Sequence, residues 1–194
     1  MYVLAIMQDK LQTALLADFP QLYQNEHLRK NGYFSVGDGW EPIIRKLSEK
    51  VFAEYLTLSS EQQAQWCVIQ VKEKFGGLRY YYDGVSTEGM AHAIDEAEKE
   101  AYRTCEVCGA PGTNANVCNW TLTLCHQCYL TRMLAKGNKL IKCCVCGKSD
   151  ACKGDMDSNA EYYTDLPYGW YVIDDRANGF QLACSLNCAK METK

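Results

Sequence analysis

Cysteine is the residue that most constrains this chain, because it occupies 12 of the 194 positions. Eleven of these cysteines lie between Cys105 and Cys188, whereas residues 1–104 contain one, Cys67. The opening residues lack a basic flank and meet Asp9 at once, so they do not have the form of a secretory signal peptide. We therefore expect a cytoplasmic protein whose thiols are metal ligands rather than disulfides.

The strongest motif consists of two C-x-x-C turns separated by sixteen residues. It predicts a zinc site on Cys105, Cys108, Cys125 and Cys128. Gly109 favours a tight turn after the first pair, and residues 116–124 indicate at least one arm of a hairpin. A helix is expected over residues 129–136, ending at Gly137. The order of knuckle, hairpin and helix resembles a treble-clef zinc finger.

A second, looser pattern has the same order of elements. A hairpin with its turn at Asn178-Gly179 precedes the last cysteine pair, and a short terminal helix follows. Cys144 and Cys152 are competing sulfurs, so a mixed site or a knuckle used alone are the alternatives. The simplest interpretation is a second structural Zn²⁺ on Cys143, Cys146, Cys184 and Cys188.

The remaining candidate ligands are given other roles. Cys67 is interpreted as a small buried hydrophobic residue in a strand. Cys118 is placed in the first hairpin, and it is an alternate ligand only if the register of that hairpin differs. His126, inside the second C-x-x-C, is expected to face outward. A redox role is disfavoured because neither C-x-x-C has the βαβ context of thioredoxin-like motifs.

Residues 1–104 predict an α+β domain in the order helix, β-hairpin, helix. A first helix is expected around residues 10–17, and a second begins near Asp38 with Pro42 in its first turn. Residues 66–83 form the hairpin, with Gly76-Gly77 supplying the positive φ of its turn. A further helix follows Thr87 and has a narrow, alanine-rich apolar stripe.

Charge and cysteine content then divide the chain into three predicted domains, 1–104, 105–142 and 143–194. Their net charges are −4, +3 and −3, against −4 for the whole chain. No global positive field is available to drive nucleic-acid binding. No apolar run is long enough to cross a bilayer, and we expect no membrane partner.

The hairpin turn also carries a candidate binding surface, formed by Lys72, Lys74, Phe75, Gly76, Gly77 and Arg79. Cations beside aromatic rings suit a nucleotide, RNA or an acidic partner. The alternative is an ordinary turn with solvated charges. The basic residues of the middle segment are a second candidate, Arg132, Lys136, Lys139 and Lys142.

Little in the sequence indicates an enzyme. The chain has three histidines, and neither predicted hairpin contains one, unlike the treble-clef nucleases of the HNH type. Four thiolates also close a zinc site to water and substrate. The alternative is catalysis in the N-terminal domain, using Asp38, His92 or Glu96 with a metal such as magnesium.

One string resembles a known group of proteins. Residues 71–82, VKEKFGGLRYYY, followed by an Ala/Glu-rich helix that runs into Cys105-x-x-Cys108-Gly, are similar to a family of uncharacterised bacteriophage and prophage proteins. The resemblance covers about residues 35–130 and implies a phage origin and the cytoplasm of a bacterial host. By analogy with other small phage proteins, we expect a zinc-stabilised interaction protein that binds and inhibits a host protein, such as a defence protein. The alternative function is a nucleic-acid-binding or nucleotide-binding zinc finger.

Overall fold

The computed structural model describes residues 6–25, 28, 32–117, 120–152, 166–167, 169–175 and 179–192. These residues form an α+β protein, which confirms the predicted fold class. The chain divides into two compact units, an N-terminal unit of residues 1–128 and a C-terminal unit of residues 129–194. The three domain boundaries expected from composition stay a prediction.

The described part of the N-terminal unit contains four helices and five strands. A short 3₁₀ turn, Asp38–Trp40, precedes the second helix. The elements are α1 (Asp9–Asp18), β1 (Phe34–Ser35), α2 (Glu41–Tyr55), α3 (Ser60–Gln65), β2 (Cys67–Lys74), β3 (Gly77–Asp83), α4 (Glu88–Ala101), β4 (Thr113–Val117) and β5 (Trp120–Leu124). The predicted order of helix, hairpin and helix is therefore present as α2, β2–β3 and α4.

Helices α2 and α4 pack against each other through one apolar face each. Pro42 lies in the first turn of α2, where its missing N–H removes no intrahelical hydrogen bond. Thr87 caps α4, because its hydroxyl accepts a hydrogen bond from the Met90 N–H at 3.1 Å. Alanines on the inner face of α4 allow close approach. The buried residues of these two faces include Ile43, Ile44, Leu47, Val51, Met90, Ala93, Ala97 and Ala101.

A short helix, α3, was not expected from the sequence. Ser59 and Gln62 form a capping box at its start, in which each side chain hydrogen-bonds the backbone N–H of the other residue. The helix has no buried residue, so its six residues lack the apolar periodicity that sequence reasoning depends on.

The N-terminal sheet has the strand order β1-β2-β3, with β1 parallel and β3 antiparallel to β2. Val71 and Tyr80 face the core, while Lys72 and Tyr81 lie on the outer face. The predicted turn position was wrong by one residue. Lys74 pairs with Gly77, so the two turn residues are Phe75 and Gly76, with φ of +54° and +76°. Gly77 is instead the first residue of β3.

The helix expected after the second C-x-x-C begins within that motif instead, and it ends one residue earlier than expected. This helix, α5, covers His126–Ala135, and Gly137 stops it with a φ of +83°. The C-terminal unit then contains β6 (Lys139–Lys142), β7 (Ser149–Cys152), β8 (Tyr171–Asp175), β9 (Gly179–Ala183) and α6 (Leu186–Glu192).

The C-terminal unit is built from two antiparallel strand pairs, β6–β7 and β8–β9. The pair β8–β9 is the predicted second hairpin; Gly179 begins β9, and Asn178 lies outside the described residues. The pair β6–β7 was not expected, and it flanks the knuckle of Cys143 and Cys146. The small core of the C-terminal unit consists of Ile141, Cys143, Cys152, Trp170, Leu182 and Ala183.

Across the parts of the chain that the structure describes, no helix combines the length and apolarity needed to cross a membrane.

Candidate metal centres and binding surface

The first predicted set of four cysteines comes together in the N-terminal unit. The sulfurs of Cys105, Cys108, Cys125 and Cys128 all lie within 4.8 Å of one another. The distance between Cys108 Sγ and Cys125 Sγ is 3.6 Å. A zinc ion bonded to four thiolates at about 2.3 Å needs sulfurs about 3.8 Å apart, so this donor set fits a tetrahedral thiophilic ion.

Local backbone geometry turns the sulfurs of this cluster inward. In the knuckle, the Gly109 N–H donates to the Cys105 carbonyl at 2.9 Å, and the φ of Gly109 is +76°. At the start of α5, the Cys128 N–H donates to Cys125 Sγ at 3.4 Å. This backbone donor lowers the pKa of Cys125 to about 7. Cys125 is therefore the thiol of this cluster that ionises near neutral pH, whereas burial and the neighbouring thiols raise the pKa of Cys128.

The first knuckle is packed tightly against the segment that precedes α2. The Gly39 N–H donates to the Glu106 carbonyl at 2.8 Å, and Trp40 Nε1 donates to the Thr104 carbonyl at 2.7 Å. A Cβ at Gly39 would lie 2.2 Å from the Cys105 carbonyl oxygen. Sequence reasoning missed this role of Gly39, because residues 66 positions apart in the chain carry no common local pattern.

The second set of cysteines comes together in the C-terminal unit. The sulfurs of Cys143, Cys146, Cys184 and Cys188 also lie within 4.8 Å of one another. Cys146 Sγ is 3.4 Å from Cys184 Sγ, which is 3.9 Å from Cys188 Sγ. These separations again bracket the edge of a zinc–thiolate tetrahedron, about 3.8 Å.

The second knuckle repeats the geometry of the first. The Gly147 N–H donates to the Cys143 carbonyl at 3.0 Å, and the φ of Gly147 is +72°. Burial disfavours a charged Cys143, but hydrogen bonds from the backbone of Cys146, Cys184 and Val145 outweigh it and lower the pKa of Cys143 to about 6. Each cluster thus contains one thiol that ionises easily.

The other cysteines stand outside the two sets of four. Cys144 is exposed, and its backbone N–H donates to the Leu182 carbonyl at 2.9 Å. Cys152 is buried in β7 within the C-terminal core. Cys67 lies in β2 as expected but is only partly buried, because it pairs with Asp83 at the open end of the hairpin. Cys118 lies outside the described residues, and His126 is exposed as predicted.

The fold and these clusters define an α+β protein with two four-cysteine groups at metal-binding distance. Comparison of the chain with protein-family models, with curated proteins and with solved structures gives no match.

The candidate binding residues at the hairpin turn divide into two groups. Lys74 and Phe75 are exposed, and the Phe75 side chain keeps 70% of its accessible surface. Lys72 is half-buried, with its Nζ atom 5.1 Å from the centre of the Tyr81 ring. Lys74 Nζ is 5.5 Å from the centre of the Phe75 ring. These residues form an aromatic, cationic surface.

The other candidates hold the turn in place. Gly76 and Gly77 are buried. The Gly76 carbonyl accepts a hydrogen bond from the Thr123 hydroxyl at 2.6 Å, which attaches the turn to β5. Arg79 Nη1 lies 3.3 Å from a Glu98 carboxylate oxygen, and Arg79 Nη2 is equally far from the Tyr102 hydroxyl.

Two exposed aromatic residues beside the turn were missed by sequence reasoning. Trp120 begins β5 and keeps 43% of its accessible surface, and Tyr102 follows α4 and keeps 36%. Isolated aromatic residues at the ends of elements have no sequence signal of their own. Only tertiary structure brings Trp120 to Glu73 and Tyr102 to Gly77, at the end of the hairpin.

The remaining candidate residues show no comparable arrangement. Arg132 lies on α5 and is partly buried, whereas Lys136, Lys139 and Lys142 follow this helix and are exposed. A groove of 510 Å³ between α2 and α4 contains His92 and Glu96. The acidic groups of this groove form ion pairs, such as that between Glu96 and Lys50. Asp38 does not line the groove, and its carboxylate accepts a hydrogen bond from the Gln8 N–H.

Proposed function

We propose that this chain is a zinc-stabilised interaction protein with two structural Zn²⁺ ions. The donor chemistry supports zinc, since thiolates are soft ligands and two sets of four sulfurs have tetrahedral spacing. In each set, the ligand pairs come from segments that are far apart in the chain. A bound ion would therefore hold a knuckle against a helix start.

The same donor sets disfavour zinc-based catalysis. A catalytic zinc keeps one coordination position for water or substrate, whereas four cysteines fill the tetrahedron. The residues of this chain would bind and orient a partner, and they would not activate a water molecule for hydrolysis. We accordingly propose a binding function and no hydrolytic activity.

The observation that carries the interaction function is the conformation of Phe75. A bulky side chain at a φ of +54° costs about 1–2 kcal/mol relative to a right-handed conformation, and asparagine or glycine is normal at this turn position. The ring is nonetheless exposed and buries little surface in return. Such strain at an exposed aromatic residue is typical of a contact residue for a partner.

The proposed partner is a host protein. The resemblance of the hairpin string to phage and prophage proteins supports a phage-type factor that acts in the bacterial cytoplasm and inhibits its target, such as a defence protein. The binding surface is the end of the hairpin, with Lys74 and Phe75 exposed and Lys72 half-buried beside them.

Metal analysis of the purified protein tests the zinc proposal. We expect two zinc ions per chain, and one after Cys108→Ser or Cys146→Ser. Fewer than one ion per chain in the unaltered protein would contradict the proposal.

An affinity pull-down from bacterial lysate tests the interaction function. We expect specific partners to be lost on Phe75→Ala and Lys74→Glu, with unchanged folding by circular dichroism. Leu56→Ala is the matched control, because Leu56 is an exposed apolar residue at the end of α2. Partners unaffected by either turn substitution would show that the hairpin end is only a turn.

The alternative function is nucleic-acid or nucleotide binding, in which the exposed Lys74 side chain would contact phosphate. Nuclease treatment of the lysate and a salt titration separate the two functions. Phosphate contacts make affinity fall steeply with salt, whereas an apolar protein interface changes little.

A further inference from the structure

We propose that the binding surface continues from the hairpin turn onto the first metal module, and that it takes a protein surface with an apolar pocket bordered by carboxylates. This inference rests on the proposed interaction function and extends its site. The surface consists of Phe75, Tyr102 and Trp120 with Lys72 and Lys74, and we call it the aromatic tip. All five residues lie in the N-terminal unit.

Trp120 is joined to the turn by one carboxylate. Glu73 is buried, and its Oε1 atom accepts a hydrogen bond from the Gly76 N–H at 2.6 Å. Its Oε2 atom accepts one from Trp120 Nε1 at 3.3 Å. Because both donors share one carboxylate, the indole is held beside the turn while its ring remains exposed.

Tyr102 lies on the opposite side of the turn. A Cβ at Gly77 would lie 2.5 Å from Cζ of Tyr102, so the ring rests directly on the backbone of Gly77. Gly77 pairs with Lys74, so a side chain at either position points to the same, outer face of the hairpin. Because Tyr102 lies where a Gly77 side chain would be, it is on that outer face together with Lys74. Three exposed aromatic rings from three separate elements thus surround one turn.

This composition matches the centre of a protein interface. Exposed Trp, Tyr and Phe side chains anchor in partner pockets and supply most of the binding energy of an interface. The contacts just described hold Trp120 and Tyr102 in place, so these two side chains lose little conformational entropy on binding.

The charges of the N-terminal unit and of the two lysines indicate which kind of partner surface fits the aromatic tip. The N-terminal unit has sixteen acidic and eleven basic side chains, so its overall field repels a polyanion such as nucleic acid. The Lys72 and Lys74 ammonium groups lie over the Tyr81 and Phe75 rings, where they occupy ring faces on which a base would stack. Two lysines beside apolar rings instead complement a few carboxylates around an apolar pocket.

Site-specific photo-cross-linking in bacterial lysate tests the proposal. Benzoylphenylalanine replaces Trp120, Tyr102 or, as a control, Leu56. Leu56 is remote, because its neighbour Tyr55 contacts Trp66 at the open end of the hairpin, about 25 Å of strand away from the turn. We expect positions 102 and 120, but not 56, to cross-link the same protein after nuclease treatment. The cross-linked peptides should contain apolar residues next to Asp or Glu.

The captured protein is then purified and titrated with full-length variants. We expect Trp120→Ala to weaken binding at least ten-fold, Trp120→Phe less than three-fold, and Lys74→Glu more than Lys74→Gln. The Trp120→Phe variant keeps a ring and lacks the N–H donor to Glu73, so it separates ring contact from positioning. Equal thermal stability of both variants shows that folding is not the cause.

The outcomes distinguish this inference from the proposed function. If Phe75→Ala abolishes binding and Trp120→Ala changes it less than two-fold, the turn binds alone and the aromatic tip is wrong. Cross-links that disappear with nuclease, or binding to oligo-dT or single-stranded RNA, overturn the choice of a protein. The absence of any cross-link at positions 102 and 120 overturns the aromatic tip, whereas the proposed function at the turn is overturned separately, by pull-down partners that Phe75→Ala and Lys74→Glu leave unchanged.

Discussion

Two residues of this protein, Phe75 and Gly39, occupy positions where the structure restricts which side chain is allowed. Phe75 occupies a turn position with a φ of +54°, and Gly39 is so close to the first knuckle that a Cβ would lie 2.2 Å from a backbone oxygen. At position 75, a bulky side chain is present although the backbone conformation favours glycine. At position 39, there is no room for a side chain. Both lead to direct tests.

Replacing Phe75 by asparagine should stabilise the protein and weaken partner binding. Asparagine tolerates positive φ, so we expect the free energy of unfolding to rise by about 0.5–1 kcal/mol relative to Phe75→Ala, which keeps the strain. Urea unfolding of the three proteins measures this. Equal stability of the alanine and asparagine variants would show that the turn stores no strain.

Adding a methyl group at Gly39 should loosen the first metal centre. The added Cβ must displace the knuckle backbone, and we expect Gly39→Ala to lower the free energy of unfolding by at least about 2 kcal/mol. The control is Gly137→Ser, since a Cβ there meets nothing within 4 Å and only the positive φ is unfavourable. Thermal unfolding and zinc retention are the measurements, and unchanged zinc retention in Gly39→Ala would contradict the prediction.

At the scale of elements, hydrogen bonds to β5 anchor the turn end of the hairpin β2–β3. The Thr123 hydroxyl donates to the Gly76 carbonyl, and Trp120 and Gly76 both donate to Glu73. A two-stranded hairpin end is marginal alone, and these buried hydrogen bonds connect it to the strand that leads into Cys125. The first metal centre and the turn are therefore parts of one assembly.

Removing the Thr123 hydroxyl tests this connection. We expect Thr123→Val to cost about 1–3 kcal/mol of stability, because the buried Gly76 carbonyl loses its donor. Thr57→Val is a matched control, since the exposed Thr57 hydroxyl donates to the Glu54 carbonyl and its loss should cost less than about 0.5 kcal/mol. Hydrogen exchange should accelerate at residues 75–77 in Thr123→Val alone. Equal effects in both variants would contradict the connection.

At the scale of the whole molecule, each compact unit contains one complete cysteine cluster. Metal binding and folding are coupled in small domains, so the two clusters should stabilise their own units separately. Cys108→Ser is expected to increase hydrogen exchange mainly within residues 34–128, and Cys146→Ser mainly within residues 139–192. Mass spectrometry of the exchanged peptides checks this. The same exchange pattern for both variants would show that the units unfold together.

Features encoded within a short stretch of chain were predictable from the sequence. The C-x-x-C-Gly knuckles, the apolar face of α2 and the Thr87 cap depend on residues within about one turn of each other. The grouping of eight cysteines followed from their spacing, because each knuckle presents two sulfurs to one point. The turn was misplaced by one residue because Gly76-Gly77 offers two positive-φ positions, and the strand register alone decides between them.

Only the tertiary structure decided which residues that are distant in the chain come into contact. Gly39 lies against Cys105, Trp120 shares Glu73 with Gly76, and the Tyr102 ring covers Gly77. Each contact joins residues more than twenty positions apart, and their proximity follows from the packing of whole elements. By itself the sequence determined the two groups of four cysteines, the helices α2 and α4 and the hairpins β2–β3 and β8–β9, since these depend on near neighbours along the chain. The surface around Phe75 depends on neighbours in space, which no local spacing encodes.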